Sequence, residues 1–220
     1  MSNTAATTAR NMIRSALKGV LATHDAATGA PYASMILLAT AMDGAPVTLI
    51  SSLARHTQNL RAASAASLLI DTSNAAGDAS SGGRISLMGR LEPTTHAAVS
   101  ARFLARHPSA AAYASFADFG FWRMNLDSAH MIEGFGRIVP MSSDELRPSG
   151  IDFAAFAHVE AGYLRSLQRR WPAVTGVDPD GVDFVEAGSP RRLAFAASVL
   201  TAQAAHAAAA NRLAEYCAAP

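Results

Sequence analysis

Along the first 140 residues, apolar and polar positions alternate in short runs with a period near two, the signature of half-buried strands. Val20 to Thr23, Tyr32 to Thr40 (YASMILLAT), Val47 to Ser51, Ala66 to Asp71 and Arg84 to Leu91 (RISLMGRL) read as strands. Gly-, Pro- and Asp-rich turns such as HDAATGAP and AMDGAP punctuate them. In RISLMGRL, Ile85, Leu87 and Gly89 fall to one side and Arg84, Ser86, Met88 and Arg90 to the other. A glycine inside such a run points to a bulge or a close backbone approach. Phe119 to Asn125 and Ala129 to Val139 read as two final strands joined by a Leu-Asp-Ser turn. Short turns between closely spaced strands predict an antiparallel barrel or sandwich.

Helical spacing enters at three places in this half. Thr4 to Leu17 puts Ala9, Met12, Ile13, Ala16 and Leu17 on one face and Arg10 and Arg14 off it, with Gly19 as the stop. Pro93 to His107 is amphipathic, with Thr94 or Thr95 as N-cap and Ala98, Phe103 and Leu104 turned inward. A short helix, AAAYASF, follows Pro108. Ser73 to Gly83 is a polar Gly/Ser-rich loop. MSSDELRPSG then reads as a linker, which sets a boundary between residues 1–146 and a smaller domain, 147–220. The latter carries a helix over Ile151 to Arg170, a strand pair (Val182 to Ala187, Arg191 to Phe195) around Gly188-Ser189-Pro190, and an Ala-rich helix, Leu200 to Tyr216.

Composition narrows the function classes. The chain has 220 residues, half of them apolar, and a formal net charge of +1, so no general attraction to nucleic acid or acidic membranes is expected. Lys18 is the single lysine among 18 basic residues, so any anion site must rest on arginine, histidine, hydroxyls and backbone. One cysteine, Cys217, allows no intrachain disulfide and no cysteine metal cluster. With no long apolar run and a polar start, MSNTAATTARN, a cytoplasmic protein without a membrane span is expected.

The stretch Pro46 to Asp71 concentrates the candidate chemistry. A strand ends at Ser51, a helix opens near Ser52 and runs to about Ala63, and a second strand follows. Val47, Leu49, Leu53, Leu60, Leu68, Leu69 and Ile70 supply the buried faces. Ser51, Ser52, Arg55, His56, Thr57 and Asn59 crowd the strand-to-helix turn. Such a turn directs free N–H groups and the positive end of a helix dipole at one spot, and Arg55 adds a planar fork of donors. Two readings follow: a phosphate cradle at the sheet edge, or an N-capped surface helix with a solvated polar face.

Taken together, SMILLAT, DGAPVTLISSLARHTQNL, ASLLID, RISLMGRL, FWRMN and HMIEGFGRI resemble the FMN-binding split-barrel family related to pyridoxamine 5'-phosphate oxidase. The likeness is to the subgroup with a small C-terminal α/β domain, which includes haem-binding and haem-degrading members. The resemblance implies an α+β fold: a six-stranded antiparallel split β-barrel plus that small domain, dimerising with two FMN sites at the interface. It implies FMN-phosphate contacts from Arg55 and His56, and places Ser34 where the oxidase has a further phosphate-binding arginine. Ser51 and Ser52 would face the flavin ring and ribityl chain, Asn59 the helix start, and Arg84 the flavin. Trp122 and Arg123 would be the partner's contribution over the ring, and Gly134 to Arg137 a close backbone approach.

The implied function is an FMN-dependent oxidoreductase acting on a small or aromatic substrate, with haem binding or haem degradation on the same barrel as the alternative. No catalytic residue and no metal ligand set can be named. Relatives carry two histidines five residues apart in the appended domain; here His158 fits the first place and Tyr163 stands at the second. His158, among Phe153, Phe156 and Leu164, is expected to be structural.

Overall fold

The computed structural model describes residues 3–72, 82–133 and 137–218. The chain divides into two compact units, Met1–Arg147 and Pro148–Pro220.

In the first unit, helix α1 (Asn3–Ser15) leads into β1 (Lys18–His24), β2 (Pro31–Leu37), β3 (Ala39–Thr40) and β4 (Pro46–Ser51). Helix α2 (Arg55–Ala62), β5 (Ala65–Asp71), β6 (Arg84–Pro93), α3 (Ala97–Arg106), β7 (Phe119–Glu133), β8 (Arg137–Ser142) and α4 (Ser143–Leu146) complete it. All strand pairs are antiparallel, in the order β2-β1-β5-β6-β7-β4-β3. Along β7, residues 119–123 pair with β4 and residues 128–133 with β8, while β6 holds the opposite edge. Two strands sharing one edge end to end give the barrel its split. The split barrel is therefore present, with eight strands among the described residues where six were implied. The second expected strand breaks at Leu38 into β2 and β3, and β8 adds to the end of β7.

Several local expectations need correction. No turn interrupts β7 at Leu126-Asp127-Ser128: β6 pairs along both halves, and Asp127 is the extra residue of a bulge, because Met88 faces Ser128 while Gly89 faces Leu126. The glycine expectation holds, since a Cβ on Gly89 would collide with the Asn125 carbonyl oxygen. MSSDELRPSG is not a linker throughout. Met141 and Ser142 end β8, and Ser142 with Glu145 forms a capping box that starts α4, with Leu146 buried behind it. Gly19 does not stop a helix but sits inside β1, pressed against Leu38 and Leu68, where a larger residue would not fit.

Arg10 and Arg14, placed off the apolar face of α1 by their spacing, are nonetheless buried at 6% and 3% exposure. The Arg14 guanidinium reaches the carbonyls of Met42 (3.0 Å) and Ala41 (3.5 Å), which sequence spacing cannot show. Helix α3 begins at Ala97 without a threonine cap, because Pro93 still belongs to β6, and it buries Val99, Phe103 and Arg106 while Ala98 is exposed. The short helix after it is a 3-10 turn, Pro108–Ala112. Leu53 and Leu69, expected to be buried, are exposed. Leu69 joins Val20 and Met35 in one cross-strand row on the outer face of β5-β1-β2.

Two apolar clusters fill the unit. One sets α1 (Ala9, Met12, Ile13) against the inner faces of the strands (Leu21, Leu68, Ile85, Leu87, Met131). The other sets Phe103 of α3 against Val47 and Leu49 of β4.

The second unit packs α5 (Phe153–Gln168), capped by Asp152, and α6 (Ala202–Ala218) with a three-stranded sheet ordered β11-β10-β9. The expected strand pair appears as β10 (Gly181–Glu186) and β11 (Ser189–Ala194), turning through Ala187 and Gly188 at positive φ; β9 (Val174–Asp178) was not anticipated. Arg192, 3% exposed at its side chain, is held by Asp178 (2.7 Å) and Asp183 (3.1 Å).

Candidate functional site

The turn from β4 into α2 is pinned from outside. The Ser51 hydroxyl donates to Asp118 Oδ2 (2.6 Å) and accepts from the Leu53 N–H (3.1 Å), while the Ser52 N–H donates to the Asp118 carbonyl (2.6 Å). The chain is forced outward at Leu53, which is 76% exposed, and the helix opens three residues later than Ser52, at Arg55. The N-cap is Ala54, whose side chain has no oxygen to offer. The N–H groups of Arg55 and His56 therefore have no acceptor among the described residues and point out of the helix start.

Arg55 is aimed by two contacts. Its Nε donates to Asp25 Oδ2 (2.7 Å), and its guanidinium carbon lies 5.0 Å from the Tyr32 ring centroid. Both terminal nitrogens are left for a ligand. Asp25 is itself held by Thr28, whose N–H and hydroxyl donate to Oδ1 (3.0 and 2.7 Å). The Arg55 hydrogen bond, then those of Thr28, bring its carboxyl down to about 2, so it is ionised throughout the ordinary pH range. Asn59, 1% exposed, accepts from the Ala26 N–H (2.9 Å) and donates to Thr23 Oγ (3.0 Å). It ties the loop after β1 to α2 and so positions Asp25 beside Arg55.

His56 Nδ1 lies 3.1 Å from the Ser34 hydroxyl, and its Nε2 is buried with no partner. Burial pushes its pKa down, so the ring is neutral at pH 7. Asp25 thus offsets the charge of Arg55, and Asp118, bonded to Ser51, adds a second carboxylate at the turn. A histidine whose folded pKa lies below its unfolded value leaves the unfolded state binding more protons, so stability falls as pH drops below about 6.5. Urea midpoints at pH 7.5 and pH 5 should show that loss. His56→Gln should reduce it without abolishing it, because burial pushes His107 in the same direction. An unchanged pH dependence in the variant would exclude His56 as a source.

The structure thus brings Ser34, Ser51, Ser52, Arg55, His56 and Asn59 to one place. It does not bring Arg84, Trp122 or Arg123 there within one chain. Arg84 faces Asp71 and Ile132, at the far end of the β1–β5 ladder from Asp25. Trp122 is a core residue at 5% exposure. Arg123 faces Val47, four residues along β4 from Ser51, and donates to Asp43 and Asn125 (2.6 Å each). Gly134 to Gly136 lie outside the described residues. Asp25, Thr28, Tyr32 and Asp118 were missed. The Asp-x-x-Thr-Gly pattern of the turn carried the only signal for any of them.

Elsewhere, His158 is exposed rather than packed among Phe153, Phe156 and Leu164, while Tyr163 stacks on His206 with ring centroids 4.8 Å apart. Cys217 is free and exposed. Among the described residues, no group of histidine, cysteine and carboxylate side chains could hold a metal ion, and no helix is long and apolar enough to cross a membrane.

Known proteins share this architecture. A protein of unknown function from Agrobacterium tumefaciens superposes with a TM-score of 0.76 at 25% identity, over 93% of each chain. A heme binding protein from Mycobacterium smegmatis is 26% identical over 98% of each chain, with a TM-score of 0.62. The chloroplastic heme oxygenase HOZ of Arabidopsis thaliana is 33% identical over 129 residues, which are 57% of this chain and 39% of that relative, so the chain spans well under half of its length. The model of the CREG β-barrel family matches residues 1–146, the whole of the barrel and its flanking helices. The chain belongs to the CREG β-barrel family.

Proposed function

We propose that the chain is a haem-binding protein whose Arg55 receives a haem propionate. The observation that carries this reading is the pinned guanidinium, whose two terminal nitrogens stay open while Asp25 holds its Nε. Such a seat suits a singly charged carboxylate on a largely apolar molecule, through a bidentate fork. Exposed Leu53 and half-buried Tyr32 supply apolar surface beside it. The haem-related relatives point the same way. When bound, haem would supply the iron and the conjugated ring for oxygen chemistry. The chain's own part is to orient a propionate through Arg55, with Asp25 and Asn59 holding that arginine. The unpartnered His56 Nε2 is a buried group in the site able to meet a further ligand atom.

FMN, serving an oxidoreductase, is the second reading, and the open N–H groups of Arg55 and His56 favour it. A doubly charged phosphate would meet one paired arginine and a neutral histidine, which is weak compensation for two charges.

Titration of the purified protein with haemin and, separately, with FMN decides between them. Haemin should develop a saturable Soret band. Arg55→Ala should weaken haemin binding about ten- to a hundredfold, the worth of a charged hydrogen bond. Saturable FMN uptake without a haemin complex would overturn the haem reading in favour of the flavin one. Haemin affinity unchanged in the variant would remove Arg55 from the site.

A further inference from the structure

One layer of the barrel interior is incomplete. Leu21 of β1, Ile36 of β2, Leu68 of β5, Leu91 of β6 and Met124 of β7 line a void of about 10 Å³, together with Leu38 at the β2–β3 break. Another strand, β4, supplies Thr48. Val47 and Leu49 pack with Phe103 on one side of β4, so strand alternation turns Thr48 to the other side, which faces the barrel core with Ile50. Its side chain is shorter than the leucine, isoleucine and methionine of the other five strands, and the space it leaves unfilled is the void. We propose that this void docks one small apolar gas molecule, and that the gas is dioxygen.

The space admits one molecule about the size of water, yet water itself is a poor fit. A buried water needs several hydrogen-bonding partners, and the six neighbours of Thr48 named above are hydrocarbon or thioether side chains. Thr48 is 0% exposed, and its hydroxyl has no partner among the described residues. A void and an unpaired hydroxyl in one layer both cost stability, so packing explains neither. Both suit a diatomic guest: the apolar wall holds its body by dispersion, and the hydroxyl has a hydrogen to offer its weakly accepting end. The void also lies beside the candidate site. Ser34, which meets His56, is two residues from Ile36 on the same face of β2 and stands opposite Leu21 in the β1–β2 register. Naming dioxygen among the small gases rests on the haem reading above, because the oxygen chemistry of a haem held there needs it. Uptake of a gas by the void does not depend on that reading.

The test follows side-chain methyl groups by NMR in the full chain, without haemin, as dissolved dioxygen is raised. Dioxygen is paramagnetic and speeds the relaxation of nuclei it touches. The methyls of Leu21, Leu68 and Met124 should gain at least about twofold more relaxation than those of Ile85 and Met131, which are just as buried in the same core. Xenon competes for the same space and should suppress that excess in the wild-type chain. Thr48→Ile, which fills the void, should abolish it; if that variant does not fold, the xenon competition decides alone. Equal relaxation in both sets of methyls overturns the proposal, as does an excess that xenon leaves intact or that survives in folded Thr48→Ile. Long-lived water cross-relaxing with the Leu68 methyls would also overturn it. Haemin binding without the dioxygen effect defeats the gas site and leaves the haem reading standing. The dioxygen effect without haemin binding keeps the gas site and removes only its link to haem.

Discussion

Arg192→Met should destabilise the Pro148–Pro220 unit by about 3–5 kcal/mol, the range for removing one partner of a buried ion pair. Arg192 projects from β11 opposite Asp183 of β10 and reaches across to Asp178 of β9, so its guanidinium ties all three strands of that sheet. Burial alone would favour losing its proton. The coulombic pull of Asp178 and Asp183 outweighs this, and the pKa is raised above the usual arginine value. A methionine fills much of the same volume but takes the guanidinium's donors away from two buried carboxylates. One of them, Asp178, also accepts from the Asp180 N–H (2.9 Å), so it cannot turn away without breaking the β9–β10 turn.

Arg192→Lys separates charge from geometry. An ammonium keeps the positive charge but cannot span both carboxylates as a fork, so its cost should fall between wild type and methionine. Hydrogen exchange read peptide by peptide would show the loss in β9, β10 and β11. A methionine variant with wild-type protection in those strands would mean that the triad contributes no net stability.

Gly89→Ala should destabilise the barrel by up to about 3 kcal/mol, the upper part of the overpacking range. The atoms that an added Cβ would meet are all backbone: the Asn125 carbonyl oxygen, the Asn125 carbonyl carbon at 3.0 Å and Leu126 Cα at 3.1 Å. No side-chain rotation relieves such a clash, so either β6 or the bulged part of β7 must move. That movement would break the pairs on each side of Asp127 and reach the Asn125 and Arg123 contacts beyond. The urea midpoint is the measure. A midpoint equal to wild type would show that the bulge absorbs a methyl group, and the close approach would then not be what keeps glycine there.

Much of this molecule is written locally. The alternation in RISLMGRL placed Ile85 and Leu87 inward, and both are fully buried. The glycine in that run announced the bulge, because only a residue without Cβ tolerates so close a strand. The serine-rich turn before ARHTQNL marked the place where Arg55, His56 and Ser34 come together. These features depend on neighbours within a few residues or on a backbone period, and both are visible in a linear chain.

Other features depend on partners far away in sequence. Arg10 and Arg14 sit off the apolar face of α1 by periodicity, yet Arg14 is buried because the hairpin 28 residues later turns a carbonyl toward it. Leu-Asp-Ser has the composition of a turn, but the ten-residue β6 lying alongside carries β7 straight through it, and tertiary pairing overrides local preference. The MSSDELRPSG stretch looked like a connector, although Ser142 and Glu145 already spelled a capping box three residues apart. The Asp25–Arg55 pair spans 30 positions, and only the fold of β1 against α2 shows that the arginine already has a carboxylate partner. The residues of this protein determined by themselves that there would be an antiparallel barrel with a polar strand-to-helix turn. Tertiary structure decided the charge of the site at that turn, because electrostatic pairing follows distance in space and not spacing along the chain.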